Sequence, residues 1–443
     1  TVDHLSVRRI IILHRSPEQI LSDLIQINST NPPGNETAVA VYLKGLFKDA
    51  GVESEIIEPE EGRGSFIARI GSGPKKLLYL SHSDVVPVGE GWDFEPFSGM
   101  IKDGVIYGRG ALDCKDLMAA QVSAALQLVE ENFSWQGELI IAVTADEESG
   151  GHLGIEYLLQ NHPDKIKADY AVNEGADHPV MLDGKMIYFL QVGEKGTAWC
   201  SLKARGTSGH GSVPTDADNA VVKLSRAVTR LNNYWAKTIL VPEVEKLLGS
   251  IAEMSGIDKS LVRPSEIDKL LEIIPLDKSF IESLRSITRM TVSPNMISGG
   301  IKTNIVPDYC EASVDIRIMP GQDCQYVEAE LRPIIGKEIE VEFNEYQPPT
   351  FSSSEEPFYK LMEKTTLDLT GVNTVCLPIV SASMTDSKFL RRAGIPSFGI
   401  GHMDKGFNPE TRTTVHGKNE RIDAASLHLK TAFLKELASR YLS

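Results

Sequence analysis

The sequence predicts an α/β fold in which a mixed, largely parallel sheet is flanked by helices and a smaller α+β domain is inserted into the chain. Two observations carry this. Short apolar runs alternate with amphipathic helical stretches through the first 192 residues, and that texture breaks off near residue 192 and returns after Gln347-Pro348-Pro349. Strands alternating with helices build βαβ units and hence parallel sheets. A texture that stops and resumes places one domain inside another. The main domain is therefore expected in two segments, 1–192 and 347–443, around an insert at 193–346.

Ser16-Pro17-Glu18 is a helix start: a Ser N-cap, Pro at the first helical position, and an acidic residue facing the positive end of the dipole. Ile20, Leu21, Leu24 and Ile25 follow at helical spacing, and Asn31-Pro32-Pro33-Gly34-Asn35 stops the helix. A second amphipathic helix is expected from about 36 to 50. Strand-like runs at 77–80, 139–144 and 170–172 lead into Ser81-His82-Ser83-Asp84, Ala145-Asp146-Glu147-Glu148 and Asn173-Glu174. Between the first two lies an Ala- and Leu-rich helical stretch at 117–129. In the insert, 198–204 alternates like a half-exposed strand, 219–231 repeats at helical spacing, 235–290 is polar and helix-rich, and 312–318 and 339–343 read as strands. That order points to a ferredoxin-like sheet with one exposed face.

Composition narrows the function. The 443 residues are 42% hydrophobic and 24% charged, ordinary for a globular protein, and 45 basic against 61 acidic residues give a net charge of −16. Such an acidic chain repels polyanions, so nucleic acid is not an expected partner. Five scattered cysteines with no C-x-x-C pair fit a reducing cytoplasm better than a disulfide framework. No apolar run approaches the ~18 residues of a membrane span. The apolar run at 10–13 is too short for a signal-peptide core. The first residue is Thr, which suggests processing. The expected location is the cytoplasm.

Five short motifs carry chemistry. In His82-Ser83-Asp84 an imidazole and a carboxylate two residues apart share one face of a strand, and a carboxylate behind a histidine fixes its tautomer for metal binding. Gly108-Arg109-Gly110-Ala111-Leu112-Asp113 sets a carboxylate on a Gly-rich turn before a helix, where its two oxygens can bridge two cations. Asp146-Glu147-Glu148 clusters like charges at a strand end, which is costly unless cations or solvent neutralise them. Glu174 ends another strand, and His416 lies near the C-terminus. Each motif alone has an ordinary reading as a cap, a turn or a solvated loop. Their convergence is what points to chemistry: three of the five candidates sit at the C-terminal ends of strands, where open α/β sheets hold their sites. Two histidines and three carboxylates, one shared, make up a complete two-zinc site.

With these motifs in their order, the sequence resembles the co-catalytic zinc amidohydrolases and exopeptidases that include acetylornithine deacetylase, succinyl-diaminopimelate desuccinylase, aminoacylase and carboxypeptidase G-type enzymes. The resemblance spans essentially the whole chain and rests on S-H-S-D-V-V-P, G-R-G-A-L-D-C-K-D, T-A-D-E-E-S-G-G, N-E-G and V-H-G-K-N-E. It implies that His82, Asp113 and Glu174 bind one zinc and Asp113, Glu148 and His416 the other. Asp84 would orient His82, Glu147 would be the general base, and the Asp113–Cys114 peptide would be cis. The insert would act as a lid and dimerisation domain. His210, in a G-H-G-S turn, would reach a neighbouring active site and stabilise the oxyanion; Asn304 and Arg317 would bind a substrate carboxylate. A loop cap, a turn and a cross-strand pair are the plain alternatives for these three. Cys114 and Asp116 stand where the family commonly has Met and Gly.

The expected activity is hydrolysis of the amide of a small N-acyl amino acid, with exopeptidase cleavage of short peptides as the alternative. Hydrolysis of a ureido acid and a non-catalytic, metal-free homologue rank lower. The expected cofactors are two Zn²⁺, with Co²⁺ or Mn²⁺ as substitutes, and the expected assembly is a homodimer without membrane contact. Glu147→Gln should retain zinc and substrate binding but lose nearly all turnover; substantial residual activity in a steady-state assay would remove Glu147 as the base.

Overall fold

The computed structural model describes residues 15–443. The apolar run at 10–13, read above as too short for a signal core, lies outside the described residues. The fold is the predicted α/β class. The central strands Gly137–Thr144, Lys75–His82, Tyr170–Asn173 and Ser397–Ile400 lie side by side and parallel. Antiparallel strands extend both edges: Ser65–Gly71 and Ser54–Ile57 on one side, Lys185–Glu194 on the other.

The parallel strands are buried on both faces, which is why their sequences are near-continuous apolar runs. Helices Pro17–Gln26, Lys115–Glu130 and Ala424–Leu442 belong to the large core with the side chains of one face, such as Leu77, Tyr79, Leu139 and Ile141. Leu78, Leu80, Ile140 and Ala142 point to a second core with Ile155, Leu158, Phe389 and Leu390. The first helix starts as its sequence dictates, the Ser16 side chain accepting from the Gln19 N–H.

A separate antiparallel sheet runs Thr291–Gly299, Tyr309–Ile318, Gly196–Arg205, Ile339–Gln347. Helices Ala220–Asn232 and Cys324–Ile335 cover one face and share its core. Along Tyr309–Ile318 buried and more exposed residues alternate, as a sheet open on one side requires. The helix Cys324–Ile335 is an element the sequence patterning did not single out.

The helices Pro242–Met254, Ile267–Ile273 and Lys278–Ser286 lie in sequence within the insert, yet their apolar faces join the core of the large sheet. Phe280 is fully buried, its ring 5.3 Å from that of Phe189 in the strand Lys185–Glu194. Where the chain passes from the large sheet to the small one, Lys195 donates to the carbonyls of Ser286 (2.8 Å) and Arg289 (2.7 Å) and to Thr291 Oγ1 (3.2 Å). One ammonium thus ties two of the connections between the sheets. All five cysteines are free, and among the described residues no helix is long and apolar enough to cross a membrane.

Removing the Phe280 ring leaves a cavity between helix and sheet. Phe280→Ala should lose about 3–5 kcal/mol in urea unfolding; a loss under about 1 kcal/mol would mean that this helix is not packed on the sheet.

Candidate metal centre

Parallel strands deliver three of the candidate ligands to one edge of the sheet. His82 is the last residue of Lys75–His82, Glu148 sits in the turn Glu147–Ser149 after Gly137–Thr144, and Glu174 follows Tyr170–Asn173. Asp113 precedes the helix Lys115–Glu130, and His416 lies between the turn Pro409–Thr414 and the strand Arg421–Asp423. His416 takes a left-handed backbone, φ 56°, uncommon for a residue with a Cβ.

The five converge. His82 Nε2 lies 3.1 Å from Asp113 Oδ1 and 3.4 Å from Glu174 Oε1. His416 Nε2 lies 2.9 Å from Asp113 Oδ2 and 3.4 Å from Glu148 Oε1. The two oxygens of Asp113 therefore face different imidazoles, each accompanied by its own glutamate. His82 is buried, and its Nδ1 lies 3.0 Å from the Asp84 carbonyl oxygen and 3.4 Å from the Asp84 carboxylate. In the neutral ring, a proton on Nδ1 directed at that carbonyl would leave the Nε2 lone pair free for a metal ion. The Asp113–Cys114 peptide is cis. Cys114 Sγ also lies near His82 and Glu174.

The electrostatics show what such a cluster lacks. Burial, with the charge on Asp113, pushes the Glu174 carboxyl up to about 7. Burial also lifts Glu147 well above its ordinary value, with the charge on Glu174 adding to it. Burial would raise Asp113 as well, but hydrogen bonds from His416 and His82 outweigh it and hold this carboxyl low. The Asp113 and Glu148 carboxylates beside it raise His416 to about 10. Crowded half-buried carboxylates of this kind call for cations. Glu148 Oε1 is buried without a hydrogen-bond partner, and the donors are imidazole nitrogens and carboxylate oxygens. The residues fit a pair of divalent metal ions.

Other buried groups hold these side chains in place. The Asp84 carboxylate accepts from the N–H groups of Glu147 (3.1 Å) and Glu148 (3.0 Å) and from Asn31 Nδ2 (2.8 Å), so it fixes the glutamate turn as well as bordering His82. Arg63 joins Glu36 to Asp146, which anchors the start of that turn. Asp386 accepts from Thr144 Oγ1 (2.9 Å), and its Oδ1 lies where a Cβ on Gly151 would come within 2.3 Å, so the turn needs glycine there. Glu420 accepts from the N–H groups of Gly110 (2.9 Å), Leu112 (2.7 Å) and Asp113 (3.0 Å) and from Arg109 (2.7 Å). Sequence reading assigned no role to Glu420, Asp386 or Asn31. Glu420 closes the V-H-G-K-N-E motif, which was the available signal; Asp386 and Asn31 act through pairings that no local pattern shows.

A cleft of about 590 Å³ opens on the cluster, lined by Asp113, Glu147, Glu148, Glu174 and His416 among others. His210, Asn304 and Arg317 do not line it. His210 is exposed, its Nδ1 accepting from the Ser212 N–H at 3.2 Å; Asn304 is exposed; Arg317 donates to Asp315 at 2.8 Å and lies over Trp199. A single chain does not bring these three to the cluster.

Residues 78–440 match the pattern of Peptidase family M20/M25/M40. The chain belongs to this family. It is accordingly a metal-dependent hydrolase acting on amide or peptide bonds. It is 30% identical over 450 residues to the human N-fatty-acyl-amino acid synthase/hydrolase PM20D1, covering 95% of this chain and 86% of that protein. With a probable succinyl-diaminopimelate desuccinylase of Staphylococcus aureus (strain MRSA252) it shares 28% identity over 327 residues, 72% of this chain and 71% of the relative. In fold it is similar to the M20 family metallo-carboxypeptidase Sso-CP2 from Sulfolobus solfataricus, with a TM-score of 0.72 at 22% identity over 96% of this chain and 99% of that one.

Because Glu420 holds the backbone of Asp113 and touches no candidate ligand side chain, Glu420→Gln sets an amide N–H against backbone donors. It should weaken divalent-metal affinity about 10–100-fold, read by competition with a chelating dye; unchanged affinity would show that the loop holds itself.

Proposed function

We propose that this enzyme hydrolyses the amide bond of small N-acyl amino acids, with Glu147 moving the proton and a divalent pair, zinc in the first instance, held by His82, Asp113, Glu174, Glu148 and His416. The observation that carries the reading is Asp113 set between two imidazoles, each beside its own glutamate, with Glu147 next to a ligand position and lining the same cleft. Bound there, the metal pair would supply Lewis acidity, favouring deprotonation of water and polarising the scissile carbonyl. Glu147, half-buried and raised in pKa, takes the proton of the attacking water and returns it to the leaving nitrogen. Asp84 keeps the Glu147–Glu148 turn in register through its carboxylate and His82 through its carbonyl, so the base and two ligands are positioned by one residue. The similarity to a fatty-acyl-amino acid hydrolase over 95% of the chain favours the N-acyl class over short peptides.

Within the insert 193–346, the four-stranded sheet and the two helices on it are proposed as a lid and dimerisation domain, while the helices of 242–286 stay with the large sheet. The strand Thr291–Gly299 is an edge of its sheet, and Met296, Ile297 and Ile301 on or beside it are 70%, 52% and 89% exposed. Exposed apolar side chains on an edge strand favour pairing with a second copy. In such a dimer His210, and with closure Asn304 and Arg317, would reach a site that they do not reach within one chain, His210 serving the oxyanion and the other two the substrate carboxylate. The five free cysteines are consistent with a cytoplasmic location.

Zinc-loaded enzyme should cleave N-acyl amino acids with kcat/KM at least about tenfold above unmodified dipeptides of the same residues, a difference of ~1.4 kcal/mol in transition-state binding. A preference for the dipeptides would make it an exopeptidase.

A further inference from the structure

The chain first passes from the large sheet to the small one at Glu194-Lys195. Glu194 ends the strand Lys185–Glu194, the next strand begins at Gly196, and only Lys195 stands between them. Both side chains are fully buried, and they hold different parts of the molecule. Lys195 Nζ donates to the carbonyls of Ser286 and Arg289 and to Thr291 Oγ1, where the chain enters the small sheet a second time. The Glu194 carboxylate instead accepts from the Thr385 N–H (3.2 Å), Thr385 Oγ1 (2.6 Å) and Gln191 Nε2 (3.0 Å), with Arg391 Nη1 3.3 Å away. The Lys195 N–H adds a bond to the Ser381 carbonyl at 3.0 Å. A buried carboxylate is tolerated only where its partners satisfy it, and the partners are fixed in return.

The far side of this network is the candidate ligand Glu174. Asn173, buried and one residue before it, directs Nδ2 at Thr385 Oγ1 (3.5 Å) and Ser387 Oγ (3.1 Å). Gly175, one residue after it, takes φ 109°, and a Cβ there would lie 2.6 Å from Gln191 Nε2 and 3.1 Å from Thr385 Cγ2. Both neighbours of Glu174 therefore rest on Thr385 or Gln191, the side chains that Glu194 holds. In a close-packed interior, a shift of Thr385 loosens one neighbour or crowds the other. The second candidate metal position is built differently. Glu148 is placed through its N–H by Asp84. Among the described residues neither Glu148 nor His416 is hydrogen-bonded to Glu194, Lys195 or Thr385.

We propose that Glu194 and Lys195 are positioning residues that couple the crossover into the small sheet to the seating of Glu174, so that order at the crossover and metal affinity at one of the two positions rise and fall together. This rests on the ligand set proposed above. The contacts run from Arg289 and Thr291 through Lys195 and Glu194 to Thr385, and from there to the residues on either side of Glu174. Groups that hold a metal ligand in place from behind set its affinity without touching the ion. Coupling between two sites is reciprocal, so a metal ion held by Glu174 steadies the crossover as much as the crossover steadies the ion.

The test reads each metal position by itself. Zinc affinity is measured by competition with a chelating dye in His416→Ala, which keeps the position of His82, Asp113 and Glu174, and in His82→Ala, which keeps the other. Lys195→Met, Glu194→Gln and the near-isosteric Thr385→Val are added singly to each, with far-UV circular dichroism reporting that the proteins fold. Zinc binding should weaken about 10–100-fold in the His416→Ala background and less than about threefold in the His82→Ala background. In the otherwise unaltered chain, zinc should slow amide hydrogen exchange over 286–299, and Thr385→Val should abolish that slowing. Zinc affinity unchanged in the His416→Ala background would overturn the coupling while leaving the ligand set standing. So would equal weakening in both backgrounds, the mark of a merely structural role, or slowing that survives Thr385→Val. If His416→Ala alone binds no zinc, the ligand set is wrong and the coupling falls with it.

Discussion

Asp113, set between two imidazoles, is the interaction on which the rest of the site depends. Each of its oxygens faces a different histidine, at 3.1 and 2.9 Å, and a glutamate stands 3.4 Å from each histidine. Gathering this many half-buried carboxylates costs free energy unless positive charge joins them, and much of the surrounding structure serves to keep them together. Glu420 ties the backbone through Asp113, Asp84 ties the turn through Glu147 and Glu148, and Arg63 with Glu36 ties Asp146. A proposed metal pair would complete a charge balance that the fold has otherwise left open.

Around that point the chain is arranged by layer and not by sequence order. The parallel strands bring His82, Glu148 and Glu174 to one edge, while Asp113 and His416 arrive from loops on separate segments. The helices of 242–286, sandwiched in sequence between strands of the small sheet, return to the large sheet and supply one wall of the cleft. Lys195 fastens their exit to the strand crossover. The same stretch thus contributes both to the core and to a wall of the cleft, apart from the segments that carry the candidate ligands.

The fold class and the strand ends were legible because apolar runs such as 77–80 and 139–144 are local signals, and the family motifs stand on them. The predicted start at Ser16 matches the observed cap because capping is decided within one turn. What periodicity does not carry is which layer an amphipathic helix joins: 242–286 shows helical spacing, but whether its apolar face meets the large or the small sheet depends on contacts such as Phe280 with Phe189, 91 residues apart by their numbers. The same reason hid Glu420 and Asn31, whose work is done across long sequence distances. The strand-face argument for His82 and Asp84 met a strand that ends at His82. Beyond that end the Asp84 carbonyl takes the ring nitrogen at 3.0 Å, and the carboxylate turns mainly to the glutamate turn. His210, Asn304 and Arg317 were recognisable as motif positions, yet one chain alone does not assemble them with the cluster.

The central claim is that Asp113 is shared between two metal positions, each with its own histidine and glutamate. Zinc stoichiometry by calorimetry and elemental analysis on the wild type, Asp113→Ala, His82→Ala and His416→Ala tests it most directly. The account predicts two tightly bound ions per wild-type chain, one retained in each histidine variant, and none retained tightly in Asp113→Ala. Two ions persisting in Asp113→Ala, or a single ion in the wild type, would contradict it.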